Sequence, residues 1–406
     1  MPNTLLTPTI IAREALRILD NNCVMGKLVY RGYEEEFDKK VNGYEVGTTI
    51  SVRRPTDYTV RTGRTASIQD VTEGSFPLVV NTQIGVDFQF TSQELTLSIG
   101  ELSDRAIKPA MVQLANQIDG DLLGLYNLAY NWVGATTTSA IDSFSDFAKA
   151  PERLDLGAVP QDDRSAVLSP TDTWAMLGSQ TALFMQEVAR GAYRNASLGQ
   201  IGGIDTYMSQ NVKTHSRGTA TTATVLSPTS TTYALTLNSN TMSIALNFAT
   251  SQSIAAGDVF TISGTFAVNP VTKAVQSYLQ QFVVTAAAGG TGTVTVTITP
   301  PIITTGAFQT VSAAPTTATA ITFTGAGATN YAQNLVFHKN AIALVVVPMV
   351  KPPGAVDVSR QSYKGYSVRV IPYYSGSNDI SAWRLDLLYG VKLLDPRLIT
   401  RVNGTA

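Results

Sequence analysis

A chain of 406 residues, 44% hydrophobic and 15% charged, is long enough to bury large cores in two or three domains. Soluble proteins average about 25% charged residues, so the low share favours a subunit that covers much of its surface with copies of itself. The net charge of −1 excludes a global basic field for nucleic acid or anionic lipid. The single cysteine, Cys23, excludes an intrachain disulfide framework.

The N-terminus lacks the basic region and apolar core of a secretion signal. The longest strongly apolar stretch, residues 341–350, is too short for a bilayer span and contains Pro348. These features predict a soluble protein made in the cytoplasm.

The first predicted element is a short amphipathic helix. Thr7 followed by Pro8 fits a helix start, with threonine as N-cap and proline at the first helical position. Apolar residues keep helical spacing as far as Asn22. The pattern fits both an arm that contacts a neighbouring subunit and an ordinary packing helix. As an arm, its interface residues would be Ile11, Ile18 and Leu19.

Residues 44–91 predict a long β-hairpin. Apolar residues alternate at Ile50 and Val52 on one limb, and from Leu78 to Phe90 on the other. A hairpin of this length cannot bury itself in its own domain, so we expect it to reach a partner. The polar excursion between the limbs carries Arg53, Arg54, Arg61 and Arg64.

The arginine cluster has two open interpretations. The guanidinium groups can clamp carboxylates of a neighbouring subunit in planar bidentate pairs. They can instead keep an exposed hairpin soluble, because charge on a strand edge opposes edge-to-edge association. Nucleic-acid binding is less favoured, since no aromatic interleaving and no basic helix accompany the cluster.

The central segment predicts helices and one buried strand. Apolar spacing from Met111 to Trp132 predicts a long helix over about residues 109–132, ended by Gly134. A second helix is expected across residues 141–148. Residues 165–169 fit a short buried strand, and its last residue, a serine, is expected to cap a following helix.

The composition changes after a Gly-punctuated turn and short strand at residues 198–212. From about Thr214 to Leu335 the only charged residues are Arg217, Asp258 and Lys273. Core-type patterning resumes at Val336, which indicates one domain inserted into a loop of another. Short β runs predict that the insertion is a small barrel or sandwich. These runs are Tyr233–Leu237, Val259–Ser263, Gln281–Thr285 and Val294–Ile298.

The C-terminal block consists of strands. Residues 341–347 fit a buried strand, and apolar residues occupy alternate positions in 366–370 and 383–393. Together with the helices, these strands predict an α+β fold.

No catalytic, cofactor or metal site is predicted. His215, His338 and Cys23 lie far apart and lack metal-site spacing. There is no nucleophile elbow, phosphate-binding loop or dinucleotide fingerprint.

The acidic residues favour structural roles. Asp162-Asp163 fits a solvated turn, and residues 34–36, all glutamates, fit a solvated or interface patch. Asp386 lies on the same strand face as Arg384 and Lys392 and is expected to form an ion pair. A buried catalytic acid is the alternative.

The order of these parts resembles the major capsid proteins of tailed double-stranded DNA phages, whose fold is named after phage Hong Kong 97. In particular it is similar to the podovirus-type coat proteins that carry an inserted domain. The likeness covers most of residues 1–212 and 336–406. The segments that carry it are Thr7–Leu16, Val46–Pro55, Ile84–Phe88, Leu97–Ile99 with Ile107–Pro109, and Ile201–Asp205.

The resemblance implies an α+β, Hong Kong 97-type capsid fold with an inserted all-β domain. The implied parts are an N-arm (1–30), a linker (31–43), the E-loop hairpin (44–91), a peripheral domain with the spine helix (92–159), the axial domain (160–212, then 336–406 with return strands) and an inserted β-barrel-like domain (213–335).

The implied function is that of a tailed-phage major capsid protein. Copies would form the hexamers and pentamers of a non-covalent icosahedral shell around double-stranded DNA, with no enzyme activity, cofactor, sequence-specific DNA binding or membrane contact. Implied partners are the protein itself and scaffolding, portal and decoration proteins. Its place would be the virion, after assembly in the host cytoplasm. The alternatives are an exported, adhesin-like surface-binding β protein, suggested by the Thr-rich insertion, and an enzyme built on Asp386.

Overall fold

The structure is a computed structural model. It describes residues 8–34, 40–41, 44–45, 47–53, 56–66, 68–69, 74–91, 106–134, 140–180, 199–227, 241–352, 354 and 357–403. The α-helices in these ranges are α1 (Pro8–Asn22), α2 (Met25–Leu28), α3 (Lys108–Gly124), α4 (Phe144–Leu156) and α5 (Pro170–Gln180). Short 3₁₀ helices cover Leu125–Leu128, Lys339–Ala341 and Pro396–Leu398.

The chain divides into two compact units. The first is drawn from residues 1–51, 77–122 and 342–392, and the second from residues 52–76, 123–341 and 393–406. The C-terminal block, expected to belong to the axial domain together with return strands, is therefore divided between the two units.

The first unit is built on a five-stranded sheet. Helix α1 begins at Pro8, as expected, and its apolar face packs on this sheet. The sheet order is β19 (Ile342–Val347), β22 (Ile380–Leu393), β21 (Tyr366–Ser375) and β20 (Ser359–Tyr363), and β5 (Thr82–Thr91) also pairs with β22. A separate two-stranded ladder joins β1 (Lys40–Val41) to β2 (Tyr44–Glu45).

The predicted long hairpin is shorter than expected. Its ladder joins β3 (Thr49–Arg53) to β4 (Ser75–Val79), and the rest of the returning limb, β5, pairs antiparallel with β22. The apolar residues that alternate along β5 lie on the same sheet face as the apolar residues of β22. Local alternation shows that a strand has two faces but does not identify the strand beside it.

The second unit contains a six-stranded sheet with α4 and α5. Ser169 caps α5 as expected, because its Oγ accepts a hydrogen bond from the backbone N–H of Asp172 at 3.1 Å. The strand order is β6 (Asn131–Val133), β23 (Ile399–Val402), β18 (Asn334–His338), β7 (Arg164–Leu168), β9 (Ile204–Met208) and β8 (Gln200–Ile201).

The charge-poor stretch forms a closed barrel in the same unit. Its strand order is β11 (Thr222–Ser227), β12 (Met242–Ile254), β15 (Ala288–Thr299), β14 (Val275–Val284), β13 (Val259–Val268) and β16 (Ala320–Phe323). At the two ends of the barrel segment, β10 (Thr214–Ser216) and β17 (Asn330–Ala332) pair antiparallel. Of the two predicted architectures, barrel and sandwich, the described residues adopt the barrel. The strand predicted at Tyr233–Leu237 lies outside them.

The predicted long helix is also shorter than expected. Helix α3 ends at Gly124, a 3₁₀ turn follows, and Trp132 lies on β6 instead of on the helix. Glycine weakens a helix by about 1 kcal/mol relative to alanine. Parallel pairing of β6 with β23 gives the next residues a competing set of backbone hydrogen bonds. The helical spacing of Trp132 was therefore coincidental.

Candidate functional site

The loop between β3 and β4 is closed by one glutamine side chain. The carboxamide of Gln69 accepts a hydrogen bond from the backbone N–H of Thr59 at 2.9 Å. Its Nε2 donates to the carbonyl of Thr59 at 2.7 Å. The side chain thus pairs with a backbone residue as a neighbouring strand would, and it holds the two sides of the loop together.

The predicted arginine cluster does not behave as a single group. Arg53, Arg61 and Arg64 are all exposed, and Arg54 lies outside the described residues. Arg61 donates to the carbonyls of Gly63 and Thr65 within its own loop. Its guanidinium therefore shapes the loop tip, and the carboxylate clamp stays a prediction for all four arginines.

Two exposed apolar residues on this loop were not expected from the sequence. Val60 is 95% exposed and Ile68 is 92% exposed. They lie next to Thr59 and Gln69, the two residues that close the loop. The signal available in the sequence was the presence of these two β-branched apolar residues in a mostly polar excursion. Two nearly fully exposed apolar side chains on one loop make it a candidate interaction surface.

An ion-pair cluster lies at the base of this loop. The guanidinium of Arg397 contacts Asp395 at 2.8 Å and Asp57 at 3.3 Å. The charge of Asp395 raises the pKa of Arg397 above its usual value. A cavity of about 100 Å³ lies beside it and includes Tyr130 and Lys273 in its lining. Burial lowers the pKa of Lys273. The cluster ties the loop base to the C-terminal segment.

The predicted N-arm residues are buried within the chain. Ile11, Ile18 and Leu19 are at most 6% exposed, and their helix packs on β20 and β21. The packing-helix interpretation accounts for their burial without a neighbouring subunit. Ile10, at 45% exposed, is an apolar side chain of α1 that faces solvent. A contact between this helix and another subunit stays a prediction.

Two residues of the charge-poor stretch form a buried polar cluster. His215 and Asp258 are 2% and 0% exposed, and their Nε2 and Oδ1 atoms lie 2.8 Å apart. The other carboxylate oxygen accepts hydrogen bonds from the backbone N–H groups of Ala255 and Gly218. The hydroxyl of Tyr126 lies 3.3 Å from Nδ1 of His215. The hydrogen bonds of Tyr126, His215 and Asp258 join the segment after α3 to the barrel segment, which favours a role in positioning these elements.

Arg401 adds a second set of hydrogen bonds between the barrel segment and the sheet. Its Nε donates to the carbonyl of Ala129 at 2.8 Å, and its Nη1 donates to the carbonyl of Gly257 at 2.9 Å. Complete burial lowers the pKa of Arg401 to about 9. Asp258 could have been identified from the sequence as part of this cluster, because it is a charged residue in a stretch that otherwise avoids charge.

A barrel side chain also covers the edge of the six-stranded sheet. Gln281 on β14 accepts from the backbone N–H of Trp132 at 2.9 Å and donates to its carbonyl at 2.8 Å. Trp132 lies on β6, the first strand in the sheet order. The carboxamide therefore occupies the place of a further strand and satisfies both backbone groups of Trp132.

Asp386 forms a structural ion pair. Its carboxylate is 1% exposed and lies 2.6 Å from Arg369 and 2.7 Å from Arg384. The sequence identified Arg384 as a partner and missed Arg369, which lies opposite Asp386 on β21. On the other neighbouring strand the opposite residue is Gly85, where a Cβ would lie 2.7 Å from the carboxylate. The small residue leaves room for the buried acid.

The remaining acidic residues also have structural surroundings. Asp162 and Asp163 lie in an exposed turn, as expected. Burial raises the pKa of Glu34, whose carboxylate pairs with Arg31 at 2.7 Å. Within the described residues no cluster of three or more His, Cys, Asp or Glu could hold a metal ion. None of the described helices has the length and apolar character of a bilayer span.

Comparison with known proteins identifies the family. The sequence model described as "P22 coat protein - gene protein 5" matches residues 3–401. A major capsid protein of Acyrthosiphon pisum secondary endosymbiont phage 1 is 22% identical over 374 residues, which cover 87% of this chain and 88% of that protein.

Solved structures are similar to this chain in fold. One described as Mycobacterium phage Che8 has a TM-score of 0.51 at 13% identity and covers 93% of this chain and 90% of its own. The asymmetric unit of the bacteriophage PhiM1 mature capsid has a TM-score of 0.44 at 12% identity, with coverages of 88% and 82%.

These findings confirm the resemblance that the sequence indicated, and nothing in them supports the adhesin-like alternative. The α+β architecture is that of the Hong Kong 97-type capsid fold. The chain belongs to the P22 coat protein family and is a phage major capsid protein.

Proposed function

We propose that copies of this chain assemble through hexamers and pentamers into a non-covalent icosahedral shell that encloses double-stranded DNA. The role is structural and needs no catalytic group or cofactor. The observation that carries the proposal is the nearly complete exposure of Val60 and Ile68 on a loop closed by Gln69.

The loop suits contact with a neighbouring subunit. Burial of one such side chain contributes about 1.5–3 kcal/mol. The hydrogen bonds of Gln69 and Arg61 fix the loop before contact, so less conformational entropy is lost on binding. Modest contacts of this size add up over a closed shell through multivalency. Arg53, Arg54 and Arg64 would add charged contacts at the rim of this surface.

The other proposed partners are inferred from the net charge of the chain and from its family. A net charge of −1 supplies no general attraction to DNA, so the enclosed genome would be held without sequence-specific binding. Scaffolding, portal and decoration proteins are the proposed further partners. Assembly would take place in the host cytoplasm and yield a subunit of the virion. The barrel would be the inserted domain of the family, with β10 and β17 at its ends.

Electron microscopy of the expressed protein tests the proposal. Samples with and without a co-expressed scaffolding protein should show hexameric or pentameric capsomers or closed shells. Sedimentation at increasing concentration should show a shift from subunits to large particles. A compact monomer that stays monomeric at every concentration, with scaffolding protein present, would contradict the proposal.

A further inference from the structure

One end of the sheet in the first unit carries a continuous aromatic face. Register places Tyr374 opposite Ser381, and Ser381 opposite Phe90. In the neighbouring row, Pro372 lies opposite Trp383, and Trp383 opposite Phe88. Directly opposed residues lie on the same face of a sheet, as do residues two positions apart. We name this surface, formed by Phe88, Phe90, Pro372, Trp383 and Tyr374, the aromatic face.

The aromatic face extends from the core into solvent. The next row on the same face includes Val370 and Leu385, both 0% exposed. Further out, Phe88, Phe90, Pro372 and Trp383 are only partly buried, and Tyr374 is 60% exposed. The ring centroids of Phe88 and Phe90 lie 5.8 Å apart. Strand β20 pairs with β21 only as far as Val370, so it does not reach the outer rows.

The charges of this sheet end lie on its opposite face. Arg384 and Asp87 are directly opposite each other, one position out of phase with the aromatic rows. The two aromatic rows contain no ionisable group except the hydroxyl of Tyr374, which donates to Asp379 at 2.8 Å. An uncharged aromatic surface does not suit phosphates, which require cations. It suits an apolar protein surface.

We propose that the aromatic face docks against a second copy of this chain. The inference rests on the proposed assembly, because a shell subunit is surrounded by its own copies. Fully buried aromatic side chains each cover roughly 150–250 Å², and here part of that area is already buried. The remaining area is smaller than the roughly 800 Å² per partner of a stable pairwise complex. A patch of this size fits one of several contacts around a subunit.

Photocrosslinking identifies the occupant directly. A benzoylphenylalanine is placed at position 374 in the full chain, and the matched control carries it at position 363. Tyr363 is 49% exposed but lies on β20, outside the aromatic face. We expect position 374 to give chain-to-chain crosslinks in assembled particles and not in dispersed subunits, at a yield several times that of position 363. Crosslinks confined to the same chain, or formed only with scaffolding protein or DNA, would overturn the inference.

Substitution gives an independent readout. Tyr374→Ser should raise the concentration needed for assembly by about tenfold, equivalent to about 1.4 kcal/mol. Tyr374→Phe, which keeps the ring, and Tyr363→Ser should stay near the wild type. The melting temperature of dispersed subunits should be unchanged in all three. If Tyr374→Ser assembles as well as the wild type, the docking surface is rejected and the proposed function stands. If the wild type itself fails to assemble, the proposed function is rejected.

Discussion

The barrel and the loop between β3 and β4 use similar residues in opposite ways. On β15 of the barrel, Val294 and Val296 face the core, while the threonines between and beside them face outward. On the loop, Val60 and Ile68 face solvent within a polar segment. The described strands of the barrel close on themselves, whereas the loop exposes the apolar groups that a globular domain would bury.

The contrast explains the low charge of the chain. In the barrel, outward threonine hydroxyls replace charged side chains, and closure of the sheet limits aggregation without them. In the loop, charge is present at Arg61 but one of its roles is to bind backbone carbonyls of the same loop. A low charged fraction therefore has two physical origins here, a self-contained surface and a contact surface.

The largest expected effect comes from the barrel core. Phe260 is 0% exposed and its ring centroid lies 5.8 Å from Phe282 and 5.6 Å from Phe323. Phe260→Ala should lower the free energy of unfolding by about 3–5 kcal/mol, because it removes buried area and leaves a cavity. Leu226→Ala, at a 36% exposed site on β11, is the matched control. Denaturant unfolding measures both, and equal losses would refute the description of a closed, packed barrel.

A smaller effect is expected where the barrel meets the sheet edge. Gln281→Met keeps the side-chain length but leaves the N–H and C=O of Trp132 without their hydrogen bonds. The expected loss in the free energy of unfolding is about 1–3 kcal/mol. Gln276→Met, at a partly buried position on the same strand, should change it by less than about 0.5 kcal/mol. If both variants match the wild type, the glutamine does not stabilise the sheet edge.

The pH dependence of the free energy of unfolding tests whether Cys23 lies in a fully packed environment. Burial raises the pKa of its thiol to about 12, whereas the pKa of a thiol in the unfolded chain is about 8.5. The unfolded state therefore loses its proton first as pH rises. Stability present below about pH 8.5 should decrease toward pH 12, by about 1.4 kcal/mol per pH unit. Unfolding measured at several alkaline pH values should show a slope that is steeper by this amount in the wild type than in Cys23→Ala, because buried tyrosines with raised pKa values contribute to both.

Thiol labelling compares the same buried site with the loop. Ala66 is exposed in the loop, so a Cys23→Ala, Ala66→Cys variant should react with a thiol reagent at the rate of a free peptide. The wild-type thiol should react only after unfolding. If the thiol at position 66 reacts as slowly as that of Cys23, the loop is covered within the subunit.

Sequence patterns identified elements whose partners are local and missed those whose partners are distant. The cap formed by Ser169 was predictable because donor and acceptor lie three residues apart. The pairing of β5 with β22 was not, because alternation is the same whichever strand lies alongside. Trp132 kept helical spacing yet belongs to a strand that is completed by β23 and Gln281.

The candidate site shows the same limit. Charge is rare in this chain, so the arginines stand out in the sequence, and Arg53, Arg61 and Arg64 are exposed in the structure. The bond from Arg61 to its own loop and the exposure of Val60 depend on the backbone path, which residue type does not specify. His215 and Asp258, forty-three positions apart in the chain, meet only in the folded structure.

The smallest effect on stability, and the sharpest test of the contrast, is expected from the loop. Val60→Ser combined with Ile68→Ser should change the free energy of unfolding by less than about 0.5 kcal/mol, because both side chains are already in water. The same variant should fail to form shells under conditions in which the wild type assembles, since each lost burial removes about 1.5–3 kcal/mol from every copy of the contact. Electron microscopy and denaturant unfolding of one preparation measure the two quantities together.

Arg64→Ala is the matched variant for that test, because it changes charge and leaves the apolar pair in place. If it alone abolishes assembly, the charged clamp is the dominant contact and the apolar pair is secondary. If the double serine variant instead loses more than about 1 kcal/mol of stability, the two side chains are packed within the subunit. In that case the loop would bury its apolar residues within the subunit, as the barrel does. The low charged fraction of the chain could then not be attributed to a contact surface on the loop.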